Sequence, residues 1–147
     1  MVNIKTVTSI LNNLRDYRQK LTILADFDLD EFIEDFTKVE SAKHLLQISI
    51  ESCLDLAHHI IADEGFRTPR DSYDSFVVLQ EEGIIPTEYM PILRQMVSFR
   101  NRVVHLYWDV EDEVVYEILQ NNLDDFDHYV KYILDFTNLS FMEEDAE

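Results

Sequence analysis

The stretch from Val39 to Ile61 constrains this chain more than any other. Apolar residues at Val39, Ala42, Leu45, Leu46, Ile48, Ile50, Cys53, Leu54, Leu56, Ala57, Ile60 and Ile61 cover most of the girth of a helix rather than a single stripe. A helix apolar on most sides must be surrounded by other elements, so the segment predicts the central helix of a bundle. With only two glycines and three prolines in 147 residues, the chain has too few turn residues for an all-β sandwich and suits long helices. A chain of this length closes one core but is short for two. Residues 1–140 therefore read as one domain and the acidic residues 141–147 as a disordered tail.

The remaining elements follow from spacing. Ile4, Val7, Ile10, Leu11, Leu14, Tyr17, Leu21 and Leu24 recur every three or four residues and predict a first amphipathic helix. Gly65 suits a C-terminal stop for the central helix, and Phe66 to Asp71, containing Pro69, reads as a loop ending in an N-cap at Asp71 or Ser72. A short helix from about Tyr73 to Glu82 ends at Gly83, and Pro86 and Pro91 mark the next turn. Ile92, Leu93, Met96, Val97, Phe99, Val103 and Val104 give the fourth helix its apolar face. Asp109 followed by Glu111, Asp112 and Glu113 resembles a cap and an acidic first turn, opening a last helix to about Leu139. The fold class is all-α, a bundle of about five helices with a corner near Tyr107 and Trp108.

Charge and composition exclude several functions. A formal charge of −18 argues against a broad nucleic-acid sheath, which needs a basic surface, but leaves room for a small pocket built from a few arginines. No apolar run reaches the ~18 residues of a membrane span, and the alternation from Val2 onward is unlike a signal peptide, so a cytoplasmic protein is expected. Cys53 is alone and has apolar neighbours, which fits a buried thiol. No Gly-rich phosphate loop, Ser/His/Asp set or Cys/His zinc pattern is present, and no cofactor is expected. Asp55 with His58 and Asp125 with His128 place a carboxylate and an imidazole one turn apart, but the Glu-x-x-His pattern of helical di-metal sites is missing. No metal is expected, and His58 and His59 read as bundle residues.

One polar face stands out. Arg94, Ser98, Asn101 and His105 recur at spacings of four, three and four on the fourth helix, so they share a face turned from its apolar stripe. Arg100 and Arg102 flank Asn101 at roughly 100° on either side, close enough for long side chains to bend toward the same patch. Cations, an amide and an imidazole together suit phosphodiester transfer: His exchanges protons near neutral pH, and Arg neutralises charge building on phosphoryl oxygens. The same residues also fit a plain solvated face, with the arginines paired to surface carboxylates and His105 complementing the helix dipole.

Arg100-Asn101-Arg102-Val103-Val104-His105-Leu106-Tyr107 resembles the Arg, four residues, His, any residue, Tyr signature of the HepT-like toxins of the HEPN superfamily. Leu45–Glu51, Leu54–Ile61, Pro69–Tyr73 with Phe76 and Leu79, the turn Gly83-Ile84-Ile85 and Val114–Leu119 are similar to that family in the same order, so the resemblance covers roughly residues 40 to 135. It implies a HEPN-like helical bundle that works as a homodimer with its two motifs facing each other. It further implies the toxin of a type VII-like HEPN/MNT toxin–antitoxin system, an endonuclease that cuts RNA, tRNA among the candidates, without a metal. On that resemblance Arg100 holds and stabilises the scissile phosphate, His105 is general acid or base, and Asn101 orients it. Arg102 and Arg94 would be auxiliary RNA contacts. Tyr107 would be the residue that a nucleotidyltransferase antitoxin modifies with adenylyl groups, blocking RNA by bulk and charge. Two residues past His105, Tyr107 points about 200° away on a continuous helix, so it nears the site only if the helix ends there. A different class of function, a helical interaction module that binds such a partner without cutting RNA, fits the acidic charge.

Overall fold

The computed structural model describes residues 1–138, and among them it contains seven α-helices, two short 3₁₀ turns and no strand. The helices are α1 (Ile4–Ala25), α2 (Leu29–Glu34), α3 (Phe36–Glu64), α4 (Ser72–Glu81), α5 (Met90–His105), α6 (Asp112–Asn121) and α7 (Asp124–Thr137), with 3₁₀ turns at Thr87–Tyr89 and Tyr107–Asp109. As its apolar girth requires, α3 is the central helix and packs against all six others. Leu56, Ala57 and Ile60 on it are fully buried, as are Val7 and Leu21 on α1, Phe76 and Leu79 on α4, and Leu93 on α5. Burying each such Leu, Ile or Phe contributes about 1.5–3 kcal/mol, so the central contacts dominate the stability of the bundle.

Local chemistry sets the helix ends. Asn3, Asp28, Asp35 and Asp71 each cap a helix by accepting a hydrogen bond from a backbone N–H in its first turn. Asp35 also accepts from the Thr37 hydroxyl and pairs with Lys38, and these bonds hold its carboxyl at about 2. The α3 helix stops at Gly65, whose φ of 70° is a left-handed conformation open to glycine at little cost. Pro91 lies in the first turn of α5.

The bundle differs from the expected five helices in three places. The polar stretch after α1 holds a sixth helix, α2, which six residues make too short to show a period; Asp28 caps it and Phe32 buries its apolar side. The central helix begins at Phe36 rather than Val39. The last helix is two: α6 ends at Asn121, and the chain turns through Asn122 and Leu123 before α7. Leu119, Leu123 and Phe126 keep helical spacing across the break and are all buried, which hides it from a reading of periodicity. The Asn122 side chain donates to Asp125 at 3.3 Å, the kind of local bond that favours turns over helix continuation.

Asp109 is not the cap of the following helix. It lies in the 3₁₀ turn, and Glu111 holds the cap position of α6. Among the last-helix aromatics, Phe126 and Tyr129 are buried, Tyr116 and Tyr132 pack half-buried on the core, and Phe136 is exposed. The Tyr129 hydroxyl donates 2.7 Å to the Cys53 carbonyl, tying α7 to α3, and burial pushes both the Tyr129 phenol and the Cys53 thiol above their ordinary values. His58 and His59 are exposed, and His58 bonds Ser75 at 2.8 Å. The expected tail at 141–147 and helix end at Leu139 lie outside the described residues. No described helix is long and apolar enough to cross a membrane.

Candidate active site

The polar face of α5 opens onto a cleft of about 580 Å³ lined by Arg94, Val97, Ser98, Asn101, Arg102, His105 and Leu106. Its opposite wall is the start of α4: Asp71, Ser72 and Tyr73. The four residues that share the sequence-derived face therefore meet in one cleft, and Arg102 joins them. His105 is exposed, ends α5 and lines the cleft, and its side chain has no hydrogen-bond partner among the described residues. Asn101 is likewise exposed. Arg102 is shared between two roles: it lines the cleft, and one of its guanidinium nitrogens donates to the Asp109 carbonyl at 3.0 Å and carboxylate at 3.1 Å.

Arg100 is placed differently. It is half-buried and reaches sideways to α4, where its terminal nitrogen donates 2.8 Å to the Ser72 hydroxyl. Its Nε is buried with no described partner. The guanidinium does not line the cleft itself but stands behind Ser72, which does. The adjacent Tyr73 holds the other arginine of this wall, with the Arg94 guanidinium carbon 4.1 Å from the Tyr73 ring centre. Consecutive residues at the start of α4 thus each hold one arginine of α5.

That start is itself pinned. The Asp71 carboxylate caps α4 through the Asp74 N–H. Asp74, buried, accepts a two-pronged bond from Arg67 at 2.8 and 2.9 Å and another from the Arg70 N–H at 2.9 Å. Arg67 also reaches Glu81 at the far end of α4. The Arg67 bonds above all, then the Arg70 N–H, drive the Asp74 carboxyl well below the usual carboxylate range, and the bonds to Asp74 first and Glu81 second raise Arg67. A bidentate Arg–carboxylate pair fixes geometry as well as charge, so the 66–71 loop is locked to the helix that positions Ser72 and Tyr73.

Tyr107 lies outside the cleft. The α5 helix ends at His105, as its approach to the site would require, but Leu106 adopts φ −134°, ψ 47° and sends Tyr107 toward α3. There the ammonium of Lys43 sits 4.6 Å from the Tyr107 ring centre and 3.7 Å from Asp112. Lys43 is buried, whereas Tyr107 keeps 38 % of its surface exposed. Trp108 beside it is 81 % exposed and does not pack into the corner. Among the described residues no group of three or more His, Cys, Asp or Glu is arranged to hold a metal ion.

Helix spacing could not reveal Ser72, Tyr73 or Lys43 as parts of this arrangement. The first two lie in the Pro69–Tyr73 stretch on which the family resemblance partly rests. Lys43 left a different trace, a cation set within a helix whose neighbours Val39, Ala42 and Leu46 are buried.

The profile of the ribonuclease HepT-like family matches residues 8–133. The chain belongs to that family. It is 33 % identical over 106 residues to the mRNA nuclease HepT of Shewanella oneidensis, covering 72 % of this chain and 80 % of that one. To the tRNA nuclease HepT of Aphanizomenon flos-aquae it is 23 % identical over 132 residues, covering 90 % and 88 %. The tri-AMPylated Shewanella oneidensis HEPN toxin, solved in complex with its MNT antitoxin, superposes with a TM-score of 0.81 at 27 % identity, over 88 % of this chain and 96 % of that one. The all-helical HEPN fold is thus shared across nearly the whole length of that solved toxin.

Proposed function

We propose that this chain is the toxin of a type VII-like HEPN/MNT toxin–antitoxin pair: a homodimeric, cytoplasmic endonuclease that cuts RNA without a metal and is silenced by nucleotide transfer to Tyr107. The observation that carries this reading is the cleft in which Asn101, Arg102 and His105 face the start of α4, with Arg100 held behind Ser72. The bland alternative for such residues, pairing with surface carboxylates, holds only for Arg102. Arg94 and Arg100 make no ion pair with any described residue, in a chain with 30 acidic side chains.

The chemistry follows from these groups. The ribose 2′-hydroxyl attacks the neighbouring phosphorus, the bond from phosphorus to the 5′-oxygen breaks, and a 2′,3′-cyclic phosphate and a 5′-hydroxyl result. An imidazole takes the 2′-hydroxyl proton and an imidazolium protonates the leaving 5′-oxygen. Arg100 neutralises charge on the phosphoryl oxygens, Asn101 orients the histidine or ribose, and Arg102 and Arg94 are auxiliary contacts. Use of the 2′-hydroxyl selects RNA over DNA. One His105 per chain serves one proton transfer, and two motifs facing each other across a dimer serve both. Val104, Leu106 and Trp108, exposed at and just past the end of α5, supply apolar surface for a second copy.

The tri-AMPylated state of the Shewanella toxin supports a like fate for Tyr107, which keeps part of its surface exposed in the turn that follows His105 and Leu106. Nucleotides added there would place bulk and negative charge beside the phosphate site. The two named relatives act on mRNA and tRNA respectively, so family membership leaves the RNA target open.

A non-catalytic interaction module is the second reading, favoured by the charge of −18. Expression of wild type, Arg100→Ala and His105→Ala separates the two. Growth arrest by the wild type alone supports catalysis, and equal toxicity of all three removes it. Purified dimer should cut RNA but not DNA in excess chelator; chelator-sensitive cutting, or equal cutting of DNA, overturns the mechanism. Tyr107→Phe should escape silencing by a co-expressed nucleotidyltransferase partner.

A further inference from the structure

The wall of the cleft farthest from His105 has a chemistry of its own. There the Arg94 guanidinium lies 4.1 Å from the centre of the Tyr73 ring. Arg94 is exposed, both residues line the cleft, and no described carboxylate pairs with the arginine. In a chain with 30 acidic and 12 Lys or Arg residues, an exposed arginine held over a ring rather than by a carboxylate is a prepared surface. An arginine plane stacked on an aromatic ring extends that stack to a further planar group, and unpaired nucleobases are bound in this way.

One observation favours a base over a phosphate at this end. The Asp71 carboxylate lines the same wall and repels a phosphate. Distance fixes where along the strand the base would lie. Arg94 precedes His105 by eleven residues on one continuous helix, a rise of ~16 Å that an extended strand covers in about two or three nucleotides.

We propose that Tyr73 and Arg94 form a stacking platform for one unpaired nucleobase, two or three nucleotides from the scissile phosphate. The platform rests on the RNA-cleaving reading for its substrate. It adds a requirement that the substrate be single-stranded there. The start of α4 then has two tasks on adjacent residues: Ser72 holds the arginine that compensates charge at the scissile phosphate from behind the cleft wall, and Tyr73 holds the one that meets a base.

The test walks one abasic ribose along a labelled twelve-nucleotide single-stranded RNA. Equilibrium binding is measured by fluorescence anisotropy on His105→Ala dimer, which keeps the RNA whole, and cleavage is measured on wild type. Removing the base at one position should weaken binding about tenfold, equivalent to ~1.4 kcal/mol and within the range of base–aromatic stacking. Added to that background, Tyr73→Leu or Arg94→Met should bring the same loss with the complete RNA and make the abasic position silent. A flat abasic scan, or abasic losses that simply add to those of the variants, overturns the platform. So does a change of mass by light scattering in Arg94→Met, which would make this wall a subunit contact. Arg94→Met, altering an exposed residue, keeps the test open if Tyr73→Leu fails to fold. Position-dependent binding without cleavage by wild type sinks the nuclease reading alone, and cleavage with a flat scan sinks the platform alone.

Discussion

Ser72→Ala removes the one hydrogen bond that the Arg100 side chain makes among the described residues. The substitution is clean because Ser72 is the first helical residue of α4, while the cap is made by Asp71 and alanine is the best helix former. What it removes is a 2.8 Å hydrogen bond from a guanidinium whose Nε is already buried without a partner. A hydrogen bond to a charged group is worth about 1.5–3 kcal/mol, and the half-buried setting of Arg100 places the loss near the lower figure. If that energy holds Arg100 where the scissile phosphate arrives, about 1.5 kcal/mol lost in the transition state slows cleavage roughly tenfold. The assay is single-turnover cleavage of a defined RNA at saturating enzyme, with thermal denaturation as a control for folding. The expected result is a tenfold slower step in Ser72→Ala, a loss of a hundredfold or more in Arg100→Ala, and no further loss when the two are combined. Wild-type cleavage by Ser72→Ala alongside a dead Arg100→Ala would refute the reasoning, since Arg100 would then act from a position that Ser72 does not set.

Acid should weaken the fold through Asp35 and Asp74. Both carboxyls lie below their ordinary value of 3.8 when folded, Asp35 at about 2; such groups stabilise the native state above the unfolded value and lose that contribution as pH falls through the folded one. A melting series from pH 7 to pH 2 should therefore fall steeply below about 4, and Asp74→Asn should melt lower than wild type at pH 7 and converge with it in acid; parallel curves would contradict this. Tyr129→Phe removes the buried bond to the Cys53 carbonyl, which keeps its own helical partner, so the cost should be only about 1 kcal/mol in a urea titration. A cost above ~3 kcal/mol would mean the phenol does more than satisfy itself. Lys43→Met keeps the buried stem and removes the ammonium from beneath Tyr107, and should speed amide hydrogen exchange at residues 106–110 without lowering the melting temperature. Unchanged exchange there would show that Lys43 does not hold the turn.

The bundle was legible wherever burial imposes a period. The girth of Val39 to Ile61 identified the central helix, and the stripe on α1 and the cap at Asp71 appear where spacing and side-chain chemistry put them. The misses fall where no period exists. The α2 helix is six residues long, and Leu119, Leu123 and Phe126 stay in phase across a break that only Asn122 betrays. The site divides in the same way. Arg94, Asn101 and His105 share a face by arithmetic on one helix, and the structure gathers them in one cleft. Ser72, Tyr73 and Lys43 act across helices, and a contact between chain segments 28 residues apart, such as Arg100 with Ser72, leaves no mark in local spacing. The destination of Tyr107 was equally hidden, since the backbone turn at Leu106 decides it.

A chain of −18 that handles RNA must confine its attraction to a small volume, and this has a measurable consequence. Arg102 is partly neutralised by Asp109, whereas Arg94 and Arg100 have no ion pair among the described residues, and the proposed platform assigns Arg94 to a base. If the proposed dimer contributes Arg100 and Arg102 from both copies, at most about four phosphates are neutralised, so log affinity should fall against log salt with a slope of about −3 for a single strand. Repulsion from the acidic surface makes the slope shallower still, because salt screens that term too. A basic sheath with six to ten phosphate contacts would give roughly −4 to −7. Anisotropy titrations of the His105→Ala dimer between 50 and 300 mM salt distinguish the two, and a slope steeper than about −4 would place RNA on a surface other than this cleft. On the proposed reading the acidic surface has a use that follows from the same electrostatics: it would repel RNA except where a strand threads an unpaired segment between α4 and α5, so the charge would contribute to substrate choice.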